Sequence, residues 1–222
     1  QKYRYWMRAD VQGESAYAFA SASALLGNRE YARVSDNLLN YSFNEYRDGV
    51  RNDPASPTYG LIGWAYTHKG TYYGDDNARY LLGALGATAY LGTDKYDRKI
   101  IEGILGNFRT SGTNGFRGGS LLDVDIQRGG WQDYYHSPTV NLHPHFESWL
   151  WACYLWLYAQ SGEKELLERV ERGVSMMIAG YPDNWSWTNG IQQERARMIL
   201  PLAWLYRVSP TPEHKQWLDY MA

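Results

Sequence analysis

The chain is short of cysteine, of net charge, of phenylalanine and of long apolar runs, and each shortage removes a class of protein. A single cysteine, Cys153, excludes an internal disulfide and a thiolate metal cluster. It lies in Trp149-Leu150-Trp151-Ala152-Cys153-Tyr154, where a thiol acts as a small buried hydrophobe. A formal net charge of -2 shows no basic excess, which argues against nucleic acid and anionic membrane surfaces as partners. No apolar stretch approaches the roughly 20 residues that cross a bilayer. No signal peptide is visible and the sequence starts at Gln1 rather than Met, so the natural N-terminus is expected to have been removed or to lie outside this sequence.

What remains is aromatic and helical. Ten Trp and 20 Tyr stand against 5 Phe, whereas a core needing only apolar bulk would use more Phe. Trp and Tyr join a flat apolar face to a polar handle. Such surfaces suit sugar rings, which show C–H bonds on one side and hydroxyls around the rim; an aromatic-rich helical core is an equal reading of the same composition. At 222 residues the chain is long enough for one domain with a real core.

Hydrophobic spacing predicts four helical hairpins, and strand patterning is almost absent. A small-residue helix opens at Glu14 and stops at Gly27-Asn28, followed by a helix over about 30–47. The second pair runs over 76–91 and 94–108, and the third over 145–160 and 163–179. The fourth pairs 191–208 with a helix from Glu213, for which Thr211 is the N-cap and Pro212 the first helical residue. The first helix of each pair is the more apolar and the second the more charged, as expected of two concentric layers. The pairs recur at about 50–70 residues, near the range of helical repeats. Long connections rich in Gly, Pro and aromatics lead into each first helix, so function is expected at the end where they gather. The chain stops at Trp217–Ala222 in what reads as mid-helix, the mark of a longer domain cut short.

The starts of the inner helices carry more polar residues than capping needs. Tyr73-Gly74-Asp75-Asp76-Asn77-Ala78-Arg79 places two carboxylates where one would cap the helix. Asp10 and Glu14 open the first inner helix, His143, His145 and Glu147 the third, and Gln192, Gln193, Glu194, Arg195 and Arg197 the fourth. Paired carboxylates are what glycoside cleavage requires, one giving a proton to the leaving oxygen and the other activating water or attacking the sugar carbon. The catalytic candidates are Asp75 or Asp76 for one role and Glu147 or Glu194 for the other, with acid and base unassigned; an ion pair with Arg195 or Arg197 is an equal reading of Glu194. Arg79, His143, His145, Gln192, Gln193 and Arg195 are candidate binders of hydroxyls or a uronate carboxylate, and Trp64 and Trp131 candidate stacking platforms. His143-Pro144-His145 lacks the i, i+4 spacing of a helical metal pair, so no metal is expected. Gly115-Phe116-Arg117-Gly118-Gly119 lacks the Gly-Lys-Ser/Thr ending of a phosphate loop and reads as a loop that closely approaches other backbone.

These features resemble the six-hairpin glycosidase superfamily of (α/α)6 toroids. The likeness is greatest to uncharacterised bacterial members with Tyr-Gly-Asp-Asp-Asn-Ala-Arg (Tyr73–Arg79), Pro-His-Phe-Glu-Ser-Trp (Pro144–Trp149) and Asn-Gly-Ile-Gln-Gln-Glu-Arg-Ala-Arg (Asn189–Arg197). It spans essentially the whole chain, as an incomplete all-α toroid of about four of six hairpins. The resemblance implies an oligosaccharide or polysaccharide substrate, no cofactor, acidic residues at inner-helix starts and a periplasmic or extracellular location. The superfamily also holds polysaccharide lyases and sugar epimerases, in which His143 or His145 would move a proton beside a carbonyl, and a non-catalytic carbohydrate-binding toroid would keep the aromatics alone.

Overall fold

Residues 7–45 and 52–222 are described by a computed structural model. They form ten α-helices, a π-helical turn and one two-stranded antiparallel sheet, an all-α architecture. Two compact units divide the chain, one of residues 1–107 and 120–131 and the other of residues 108–119 and 132–222.

In the first unit, small residues set the packing. Helix α1 (Ala9–Leu26) meets α3 (Gly74–Leu91) at Gly13 and Gly83. A Cβ on Gly13 would stand 2.5 Å from Tyr80 Cα, and one on Gly83 2.4 Å from the Gly13 carbonyl carbon. Only hydrogen fits at either place, so the two backbones touch. Ala16 and Ala20 continue the buried stripe, and Ser35 on α2 (Arg29–Asn40) donates to the Ala16 carbonyl at 2.7 Å.

Several boundaries differ from the sequence expectation. α1 starts at Ala9 rather than Glu14, because the Trp64 carbonyl accepts the Ala9 N–H at 3.0 Å and supplies the start that no side chain caps. Gly13, ahead of the predicted start, lies inside α1 as its contact point with α3. Likewise α3 starts at Gly74 after an extended Tyr73, so Asp75 and Asp76 lie inside its first turn rather than at the cap. Helix α2 gives way at Tyr41–Glu45 to a π-turn that buries Ser42 and Phe43; the last two residues of the predicted helix, 46 and 47, lie outside the described residues. α4 (Asp97–Arg109) begins three residues late, after Tyr96 has buried its ring and donated to Asp36 Oδ1 at 2.8 Å. Strands β1 (Thr71–Tyr73) and β2 (Ser120–Leu122) pair Thr71 with Leu122 and Tyr73 with Ser120, a pairing the near absence of strand patterning did not foretell. The predicted irregular stretch 109–142 also contains α5 (Asp123–Gly129) and α6 (Trp131–Tyr135).

In the second unit, α7 (Pro144–Ser161) packs against α8 (Lys164–Gly180) and α9 (Ile191–Val208), and α9 against α10 (Pro212–Met221). α9 matches its predicted span, and the α7–α8 turn passes through left-handed Gly162. Thr211 caps α10 by accepting the His214 N–H at 3.0 Å, with Pro212 at the first position as its lack of an N–H favours. The 115–119 loop does approach other backbone closely: Gly115 has φ +81°, and a Cβ there would stand 2.1 Å from the Arg169 carbonyl oxygen. Trp151, fully buried on α7, fastens the same residue by donating from Nε1 to the Gly115 carbonyl at 2.8 Å.

Candidate active site

Both units carry charged residues at helix starts. In the first, Arg8 and the opening turns of α1 and α3 bring Asp10, Glu14, Asp75, Asp76 and Arg79 together. Arg8 donates from Nε to Asp10 Oδ1 at 3.0 Å, and from Nη2 to Asp10 Oδ2 and Asp76 Oδ1, both at 2.9 Å. Arg79 answers from α3, with Nη1 2.5 Å from Asp10 Oδ2 and Nε and Nη2 each 2.7 Å from a Glu14 oxygen. Two guanidinium groups therefore converge on Asp10, whereas Asp76 takes a single bond from Arg8.

That asymmetry sets the electrostatics. Asp76 is 3 % exposed. Burial, then the negative charges of Asp75 and Asp10, push its carboxyl up to about 8 against the opposing pull of Arg8. It holds a proton at neutral pH. Trp64 lies beside this cluster, half-buried, with the Arg8 guanidinium 5.8 Å from its ring centre and Tyr73 packed edge-on. Asn77, next in the same motif, works on the backbone: it accepts the Ile62 N–H at 3.0 Å and donates to the Ile62 and Tyr73 carbonyls at 2.8 and 2.9 Å. These bonds pin the 61–65 segment, and with it Trp64, to the start of α3.

In the second unit, the polar residues that open α7 and α9 separate into two arrangements. Glu147 is 1 % exposed and its oxygens are occupied. Oε2 accepts the Arg117 N–H at 2.9 Å; Oε1 accepts the Gly118 N–H at 2.8 Å and the Asn141 side-chain amide at 2.7 Å. Burial pushes this carboxyl up to about 7, against the pull of those three donors and of the Arg117 charge. Glu147 thus holds the glycine loop in place.

Glu194 is fully buried. Its Oε1 accepts the Thr188 N–H at 3.0 Å and lies 3.6 Å from His145 Nδ1, while Oε2 has no hydrogen-bond partner. Burial opposes its ionisation, but the nearby His145 imidazole, the Thr188 N–H and the Arg197 charge outweigh it and hold the carboxyl below its ordinary range. His143 Nε2 stands 3.0 Å from Thr188 Oγ1, so His143 and Glu194 hold one loop, which carries the 58 % exposed Trp187.

The remaining candidates separate from these clusters. Arg195 turns away: Nε and Nη2 donate to the Met221 and Tyr220 carbonyls at 3.0 and 2.9 Å, so it holds α10 rather than pairing with Glu194. Gln192 and Gln193 are exposed on the first turn of α9, and Trp131 is half-buried at the start of α6. Of the alternative ion pairs for Glu194, only Arg197 contributes, as a nearby charge whose Nη1 donates to the His145 carbonyl at 3.2 Å.

Arg8 and Asn141 complete these clusters and were absent from the sequence candidates, whereas Asp10 stood among the polar helix starts without a catalytic role. A signal for Arg8 existed in Arg8-Ala9-Asp10 ahead of an alanine-rich helix. Asn141 carried none, since its partner lies six residues on across an irregular turn. Among the described residues, no group of three or more His, Cys, Asp or Glu side chains is placed to hold a metal ion. No helix among them is long and apolar enough to cross a membrane. No protein-family model matches the chain, and no curated protein is significantly similar to it.

Proposed function

We propose that this chain is a carbohydrate-active domain of the (α/α)6 glycosidase type, cleaving a glycosidic bond in an oligo- or polysaccharide outside the cytoplasm, with Asp76 as proton donor. The observation that carries the reading is the contrast at the start of α3. One carboxyl has its pKa pushed up to about 8 by burial and like charge, beside another gripped by two guanidinium groups. Environments that drive neighbouring carboxyls into different protonation states are how a site holds an acid and a base at one pH.

In the step proposed, the Asp76 carboxyl gives its proton to the glycosidic oxygen as the bond from that oxygen to the anomeric carbon breaks. Water supplies the hydroxyl to that carbon, and its proton passes to an ionised carboxylate. That partner is drawn from Asp10 and Asp75, whose charges already press on Asp76. Trp64, presented by the segment that Asn77 pins, offers a sugar-stacking face. Glu147 takes no part in the step, because its oxygens are held by three donors.

A non-catalytic carbohydrate-binding domain is the second reading, favoured by the 3 % exposure of Asp76. Assay of new reducing ends on a glycan panel separates the two. The enzyme reading expects turnover by the parent and a loss of about 10²-fold or more in Asp76→Asn. Turnover retained by Asp76→Asn overturns the assignment of the acid, and no turnover by the parent on any glycan favours the binding domain.

A further inference from the structure

The second unit has a cleft of about 530 Å³ lined by Ile178, Gln216, Trp217, Asp219 and Tyr220. Its size falls within the roughly 300–1,000 Å³ of small-molecule sites. Four of its five residues come from α10, at i, i+1, i+3 and i+4, so one helix presents two aromatic rings, an amide and a carboxylate. Gln216 and Asp219 are exposed, Trp217 is half-buried and Tyr220 is 52 % exposed.

Both rings are supported from behind. The Trp217 ring lies 5.2 Å from that of His214, whose Nδ1 is 2.6 Å from the Ser209 carbonyl. Tyr181 meets Tyr220 edge-on at 5.7 Å and continues to Trp185 at 4.7 Å. Arg195 bonds the last carbonyls of α10 to the first turn of α9, which carries Glu194. The aromatic wall is therefore preformed and fastened to the polar end of the second unit, so little ordering is needed when a ligand binds.

We propose that this cleft is a binding subsite for a neutral sugar unit of a glycan. Trp217 and Tyr220 meet the C–H face of a pyranose ring, and the Gln216 amide and the Asp219 carboxylate hydrogen-bond its hydroxyls. Lys215 holds Asp219 Oδ2 at 2.5 Å and so steadies the carboxylate. Lys215 offsets the Asp219 charge but lies outside the five lining residues, which hold no cation and so give the carboxylate of a uronate or the sulfate of a sulfated sugar no partner. The inference shares with the proposed function the choice of carbohydrate as ligand, and does not depend on Asp76 or on catalysis.

The test is an NMR titration of the whole chain with cellotetraose, mannotetraose and xylotetraose, with trigalacturonate as the charged counterpart. The Trp217 indole N–H is assigned by its loss in Trp217→Phe. The expected result is that at least one neutral saccharide shifts that resonance and trigalacturonate binds about tenfold more weakly or worse. Trp217→Ala and Asp219→Lys should each weaken binding by about tenfold or more, a step equal to about 1.4 kcal/mol. The exposed Asp219→Lys keeps the test valid if Trp217→Ala disturbs packing, and Asp76→Asn should bind as the parent does. A silent Trp217 resonance with all three neutral saccharides overturns the inference, as does equal binding of trigalacturonate or unchanged binding by Asp219→Lys. Glycan hydrolysis with a silent Trp217 would remove the subsite and leave the proposed function. Binding at Trp217 without hydrolysis would do the reverse.

Discussion

Arg8 Nη2 lies 2.9 Å from Asp76 Oδ1, and this hydrogen bond is the one the Asp76 carboxylate receives from a cluster containing two guanidinium groups. The same nitrogen is 2.9 Å from Asp10 Oδ2, so each carboxylate competes for a charge the other needs. Protonation of Asp76 relieves that competition.

A pH dependence of stability follows. Asp76 in the unfolded chain titrates near the ordinary carboxylate value, roughly 4, and in the folded chain near 8. The folded state therefore binds the extra proton in between. The stability this confers is fully present below the unfolded value and is lost as pH rises through about 8. Glu147, raised to about 7, has the same sign over a narrower window. Thermal denaturation should show a falling Tm from pH 5 to pH 9 on this account, by several degrees. Asp76→Asn should flatten the upper part of that curve; an unchanged slope in the variant would count against the assigned protonation state.

Glu147→Gln should destabilise the second unit by about 2–4 kcal/mol in urea denaturation. The amide keeps one acceptor oxygen and turns an NH2 group toward donors that now lack a partner. Hydrogen exchange at the Arg117 and Gly118 amides should rise sharply. Protection at those amides unchanged from the parent would show that the carboxylate does not hold the loop.

Gly13→Ala should cost about 2–4 kcal/mol, because its Cβ would meet backbone rather than a movable side chain. Gly27→Ala provides the contrast. No atom lies within 4 Å of its Cβ, and its cost comes from φ +65° alone, about 1 kcal/mol. Equal losses in the two variants would mean that α1 and α3 separate more easily than their contact suggests.

Asn77→Ala should lose about 2–4 kcal/mol by leaving the Ile62 N–H and carbonyl unpaired in the interior. Trp64 should become more mobile, visible as a broadened indole resonance. Asn77→Asp tests the same bonds at constant shape, since it keeps the acceptor for Ile62 N–H and loses the donors. Stability equal to that of the parent in both variants would remove Asn77 from its anchoring role.

Helix identity was legible where apolar spacing and end signals agreed. Ile191–Val208, the Thr211 cap and the Gly162 stop needed no tertiary information, since each rests on residues within one turn. The sequence misled where a residue served a distant partner. The start of α1 was expected at Glu14 rather than Ala9, because the Trp64 carbonyl that takes the Ala9 N–H and the Tyr80 backbone that packs on Gly13 come from more than 50 positions on. Within Tyr73–Arg79, spacing could not divide the labour among the residues. Asp76 holds a proton, Asn77 binds backbone and Arg79 grips Asp10, because each partner arrives from another part of the chain.

The amino-acid order by itself determined the helices, their short turns and the polar character of their starts, because these depend on local hydrogen bonding and on apolar period. Only the tertiary structure decided which carboxylate is gripped by two arginines, which holds a proton and which anchors a loop. Those outcomes depend on burial and on charges brought from distant positions, and the protonation of a buried carboxyl is set by everything that surrounds it rather than by its neighbours in sequence.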